Sequence, residues 1–213
     1  MDRSAEIAAI GTSARAAFEE KHAAREVMLG ASRRAIQACA ASIRATHRHE
    51  FDAAEQLARE ARDALAEAET ALAGHSDVRT NGPFADARKE LAEAWLTLAL
   101  VRDDPLPRPA DLGVEPAAYC NGLAEAASEL RRQLLDRLRA GDLTRAETLM
   151  GAMDDVYSLL VTIDFPDGVT GGLRRTTDAL RAVLERTRGD LTTAMVAARL
   201  QRAIDAAAGT GSA

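Results

Sequence analysis

Residues 51–73, FDAAEQLAREARDALAEAETALA, return an apolar side chain every three or four positions: Leu57, Ala61, Leu65, Ala68 and Leu72 share one side, and Glu and Arg fill the rest. That spacing is the 3.6-residue period of an amphipathic helix, not the two-residue alternation of a strand. The same signature extends both ways. Upstream, Met1 to about Thr46 reads as one helix with Gly11 and Gly30 as candidate kinks, broken at His47-Arg48-His49-Glu50. Downstream, a loop from Gly74 to Pro83 leads to a helix from about Phe84 to Val101. Prolines 105, 107 and 109 then enforce an extended loop. Pro116 opens a helix to Ala140, Asp142 caps the next from Leu143 to about Ile163, and Asp164 to Gly168 form a turn. Two helices, Gly171 to about Arg188 and Leu191 to about Ala207, close the sequence. The expected fold is an all-α bundle of about seven helices, one domain over residues 1–207, with a disordered Gly/Ser tail at 208–213.

Composition agrees. The 213 residues are 47% hydrophobic, 28% charged and only 3% aromatic, with Ala about a fifth of the chain, which suits closely packed helices better than an aromatic-rich sheet. This is apolar material for one core, and it excludes a disordered chain. Two cysteines, Cys39 and Cys120, supply neither a disulfide framework nor a zinc cluster. The start, Met1-Asp2-Arg3-Ser4-Ala5-Glu6, has no apolar run after a basic segment, and no stretch is long enough to span a bilayer. A cytoplasmic protein with no membrane partner is expected.

The net charge of −6 argues against indiscriminate nucleic-acid binding, so any polyanion site must be local. Between Lys21 and His49, six basic residues face the single acid Glu26, a local charge of +5 against −11 for the remainder. Lysine occurs only at Lys21 and Lys89. Nearly all positive charge is therefore arginine, which forks onto phosphate and stacks on bases. A GC-rich coding bias explains arginine usage equally well, but not its clustering. Arg33, Arg34, Arg44, His47, Arg48 and His49 are the candidate nucleic-acid contacts.

Candidate chemistry rests on carboxylates, because no nucleophile arrangement or phosphate-cradling glycine loop is present. Leu91 to Val101 carries one charge, Glu93, with apolar residues on every side, so this helix should be buried. A carboxylate there needs a compensating cation or hydrogen bonds. Glu90 lies one turn earlier on nearly the same face, and oxygen ligands so spaced suit Mg²⁺ or Mn²⁺; pairing of Glu93 with an arginine is the competing expectation. A second pair, Glu125 and Glu129, shares a face with Arg132 and Asp136 opposite the stripe Leu123, Leu130, Leu134 and Leu138. On periodicity alone that is a solvated face. A di-iron bundle needs two Glu-x-x-His motifs, and only Glu19-Glu20-Lys21-His22 fits.

Four segments in order carry a resemblance. They are Lys89-Glu90-Leu91-Ala92-Glu93-Ala94, Ala118-Tyr119-Cys120-Asn121-Gly122 with Ser128-Glu129-Leu130-Arg131-Arg132, Arg139-Ala140-Gly141-Asp142, and Asp155-Val156-Tyr157-Ser158. Together they resemble translin and translin-associated factor X, over roughly residues 15–190. Lys89 to Ala94 is similar to the Gln-Glu-x-x-Glu-Ala motif of factor X, which translin lacks, and Arg33 to Phe51 to the long first helices of archaeal-type members. The resemblance implies an all-α chain assembled into a closed shell, a homo-oligomer of six to eight copies, that binds single-stranded RNA or DNA inside. It further implies Mg²⁺- or Mn²⁺-dependent endoribonuclease activity with Glu90, Glu93 and Glu125 as catalytic residues and these three together with Glu129 as metal ligands. Glu125 stands where factor X has Asp. A translin-like shell that binds strands without cutting them is the alternative.

Overall fold

The computed structural model describes residues 2–75 and 82–210, with the side chains of 209 and 210 excepted. The described residues form helices α1 (Arg3–His47), α2 (Phe51–Ala71), α3 (Pro83–Arg102), α4 (Pro109–Leu112), α5 (Pro116–Arg139), α6 (Leu143–Leu160), α7 (Asp167–Thr170) and α8 (Leu173–Thr210), and no strand. The C-terminal part of α1 packs on α2 and α3, whereas α6 and α8 pack on α5 and on each other. The crossing of α3 with α5 joins these two groups. Alanines lubricate the packing: Ala87, Ala92 and Ala94 on α3 and Ala124, Ala126 and Ala127 on α5 are fully buried, so helix axes come close.

The ends follow from local chemistry. The Asp2 carboxylate accepts a hydrogen bond from the Ser4 amide, and that of Asp142 from the Arg145 amide, satisfying donors that the first helical turn leaves free. Pro83, Pro109 and Pro116 occupy first-turn positions, where proline costs no hydrogen bond. His49, with φ of 61°, makes the break between α1 and α2. Pro109, expected inside the extended loop, instead opens the one-turn α4. Most of the loop expected at 74–83 lies outside the described residues.

Two expectations are corrected. The break at Gly189 does not occur, and α8 runs as one helix. Arg131 of α5 donates to Thr187 Oγ1 at 3.0 Å and to Asp190 Oδ2 at 2.8 Å, clamping the helix on both sides of Gly189. Buried Leu191 continues the line of Leu180 and Leu184, so tertiary contacts outweigh the helix penalty of one glycine. Residues 208–210, assigned to a disordered tail, continue this helix, and 211–213 lie outside the described residues.

The apolar α3 is buried as its sequence requires, and this chain's own helices α1, α2 and α5 cover it. Unpartnered apolar side chains lie elsewhere. The first half of α1 exposes Ile7, Ile10 and Phe18, and the last turns of α8 expose Val196, Leu200 and Ile204. No helix among the described residues is long and apolar enough to cross a membrane.

Candidate metal and nucleic-acid site

The α3/α5 crossing brings carboxylates together that lie far apart in sequence. A Cβ placed on Gly122 would stand 2.7 Å from the Lys89 carbonyl oxygen, 2.8 Å from Ala92 Cβ and 2.9 Å from the Glu93 nitrogen. Only glycine allows this backbone-to-backbone approach. One turn beyond Gly122, Glu125 meets α3, and Glu90, Glu93 and Glu125 each contribute one carboxylate oxygen to a cluster whose members lie within 4.8 Å of one another.

One cation enters the cluster. Lys89 Nζ lies 2.6 Å from Glu125 Oε2, 2.8 Å from Glu125 Oε1 and 3.3 Å from Glu90 Oε1. The expected alternative, an arginine paired with Glu93, is not found among the described residues. Arg88, the neighbouring arginine on α3, turns to Glu69 at 2.9 Å and Glu115 at 3.5 Å, with its guanidinium 4.5 Å from the Phe84 ring centre. Glu93 is 8% exposed. Burial first, then the charges of Glu90 and Glu125, a hydrogen bond with Glu125 and the charge of Glu129 push its carboxyl up to about 9. On the α1 side the Cys39 thiol is pushed up to about 12, by burial and then by Glu90 and Glu93. A thiol so disposed is inert filling.

Glu125 and Glu129 are corrected from a solvated face to a half-buried one, because α5 is covered by α3, α6 and α8 together. Glu129 accepts a hydrogen bond from His47 Nε2 at 2.6 Å, and the other ring nitrogen of His47 lies 3.3 Å from the Gln133 amide nitrogen. His47 is therefore corrected too: it is buried against α5, not displayed to a polyanion. Its place in the last turn of α1 points it inward, next to buried Thr46.

The remaining basic candidates, Arg33, Arg34, Arg44, Arg48 and His49, are exposed. Arg34 pairs with Glu67 at 2.5 Å and Arg48 with Glu50 at 2.6 Å, while the His49 ring meets Phe51 edge-on at 5.5 Å. Arg33 and Arg44 make no ion pair among the described residues. Eleven residues apart, they fall on one face of α1, roughly 16 Å from each other along the axis at 1.5 Å per residue. Sequence reasoning missed Lys89, Gln133 and Gly122. A glycine in the middle of an otherwise alanine- and leucine-rich helix was the available sign of the crossing.

Fold and site together define an all-helical protein with an acidic seam between its two central helices. No family model matches the chain. It is similar to AfC3PO in complex with duplex RNA, at 34% identity and a TM-score of 0.80 over 87% of this chain and 96% of that one. The crystal structure of AfC3PO gives 32% and 0.79 over 87% and 97%. That of apo-NeC3PO, at 17% and 0.76 over 86% and 96%, shows the shared fold. An uncharacterised protein of Methanocaldococcus jannaschii is 29% identical over 178 residues, 81% of this chain and 77% of that protein. The chain belongs to the translin/Trax-like C3PO family.

Proposed function

We propose that the chain binds RNA and cleaves it in a reaction dependent on a divalent cation held at the α3/α5 seam. The supporting observation is the convergence of Glu90, Glu93 and Glu125, three carboxylates with a single lysine among them. The donor set fits Mg²⁺ or Mn²⁺: it is all oxygen, compact, and short of positive charge, since Glu93 is buried with no ion pair to it among the described residues. When bound, such an ion supplies charge stabilisation at a phosphate and acidifies water for attack on phosphorus. The chain's own side chains do the rest. Glu90, Glu93 and Glu125 hold the ion, Glu129 stands beside them fixed by His47, and Arg33 and Arg44 offer free guanidinium groups to the strand. Unpaired arginine on an exposed helix face binds phosphate without reading bases, so affinity should fall steeply with salt.

The exposed apolar arms of α1 and α8 support assembly into a homo-oligomer, proposed at six to eight copies, because isolated chains rarely leave such surface in water. Single-stranded RNA is the proposed substrate, with single-stranded DNA as a further ligand. The relative AfC3PO holds duplex RNA, so both forms belong in the test. One observation favours a binding shell that cuts nothing: Lys89 already partly neutralises the seam. Incubating labelled single-stranded and duplex RNA with Mg²⁺ or with chelator separates the two. Cleavage with Mg²⁺ and binding alone with chelator is expected; binding without cleavage under both conditions leaves the shell.

A further inference from the structure

The chain has 27 basic residues and only two are lysine, yet one of those two sits in the carboxylate seam. Its position is fixed at the backbone, since the Lys89 carbonyl is one of the atoms pressed against Gly122. Its ammonium reaches both oxygens of Glu125, at 2.6 and 2.8 Å, and one oxygen of Glu90 at 3.3 Å. These are two of the three residues whose oxygens converge. An ion that takes oxygens from both Glu90 and Glu125 must contend with this ammonium for the same lone pairs. The side chain can yield: it is 26% exposed, and an ammonium on a four-carbon stem can swing into water, where it is strongly hydrated. A guanidinium, wider and planar, would hold a carboxylate by two parallel bonds and be harder to dislodge.

We propose that Lys89 is a tethered counter-cation of the seam. It neutralises Glu90 and Glu125 when no divalent ion is present, and is displaced when one enters, so that it sets how tightly the ion is held. This deepens, and rests on, the divalent-cation reading of the same seam. It makes the metal-free protein tolerant of three converging carboxylates and makes occupancy depend on the free ion concentration. One ammonium cannot serve all three acids, which leaves Glu93 for the incoming ion.

The test is calorimetric titration of the full chain with MnCl2, for wild type, Lys89→Gln and Lys89→Arg, with the melting temperature of each measured in chelator and in Mn²⁺. Removing a competing unit charge a few ångströms from the ion should tighten Mn²⁺ binding about tenfold or more in Lys89→Gln. That variant should also melt lower than wild type in chelator and gain more from Mn²⁺, because the ion then supplies all of the missing charge. Lys89→Arg, which keeps the charge, should bind Mn²⁺ no more tightly than wild type. Equal or weaker Mn²⁺ binding by Lys89→Gln overturns the counter-cation role while leaving the metal site standing. If none of the three chains binds Mn²⁺, both the role and the metal site fall. Should Lys89→Gln be unfolded in chelator, circular dichroism during Mn²⁺ addition decides: refolding supports the role, and no refolding overturns it.

Discussion

The α3/α5 seam and the basic stretch of α1 treat charge in opposite ways. In α1 the charges are contiguous in sequence and exposed, and where they pair, as in Arg48 with Glu50, both partners stay at least half in water. Such an exposed pair contributes little to stability. In the seam the acids come from two helices more than thirty residues apart, and one, Glu93, is almost fully buried, with no ion pair to it among the described residues. The exposed group can bind a strand at little cost to folding. The buried one costs folding free energy until something compensates it, which is the arrangement expected where a ligand is to be held.

The sharpest break in this comparison is Glu93→Gln. It removes charge at nearly constant volume, so cleavage should fall by orders of magnitude while RNA affinity, set by α1, stays as it was. No arginine among the described residues pairs with Glu93, so none of them is stranded by the change and the variant should fold. Assays of cleavage and of RNA binding on one preparation check both halves. A variant that cleaves normally would refute a role for Glu93.

Gly122→Ala attacks the geometry instead. The added methyl lies under 3 Å from α3 backbone atoms, so the helices must part, at a cost of about 1–3 kcal/mol of stability. Denaturant unfolding measures it, and a loss of Mn²⁺ binding should accompany it.

The pH dependence sharpens the contrast further. Folding raises the Glu93 carboxyl from its ordinary 4.5 to about 9, so the folded chain keeps a proton that the unfolded chain releases. Metal-free stability should therefore be fully present below about 4.5 and decline as pH climbs towards about 9. Glu93→Gln should flatten this decline, so that at high pH it is more stable than wild type in chelator. Melting curves across pH decide; a decline unchanged in the variant would assign it to another group.

The smallest effects belong to α1. Reversing one charge, Arg44→Glu, should reduce the salt slope of RNA affinity by roughly one unit, whereas Arg48→Ala should leave folding stability nearly unchanged. Binding measured across a salt series checks the first.

Most of the helices were legible in the sequence because each carries its own period and its own punctuation. Asp142 and Pro116 open helices where side-chain chemistry alone demands it. The run-through of α8 at Gly189 was not legible, because it depends on Arg131 of a distant helix reaching Thr187 and Asp190. Glu90 and Glu93 could be paired from their spacing, being on one helix. Glu125 could not be joined to them without the resemblance, because periodicity places it opposite a leucine stripe and says nothing of α3 lying across it. His47 shows the converse limit. Its neighbours in sequence are basic and exposed, yet its own position on the helix turns it inward to Glu129.

Anomalous diffraction from crystals grown with Mn²⁺ tests most directly whether the seam is a cation site. A peak among Glu90, Glu93 and Glu125, with the Lys89 ammonium withdrawn from Glu125, is the result expected. A map with no peak there, and Lys89 still bonded to both Glu125 oxygens, would contradict it.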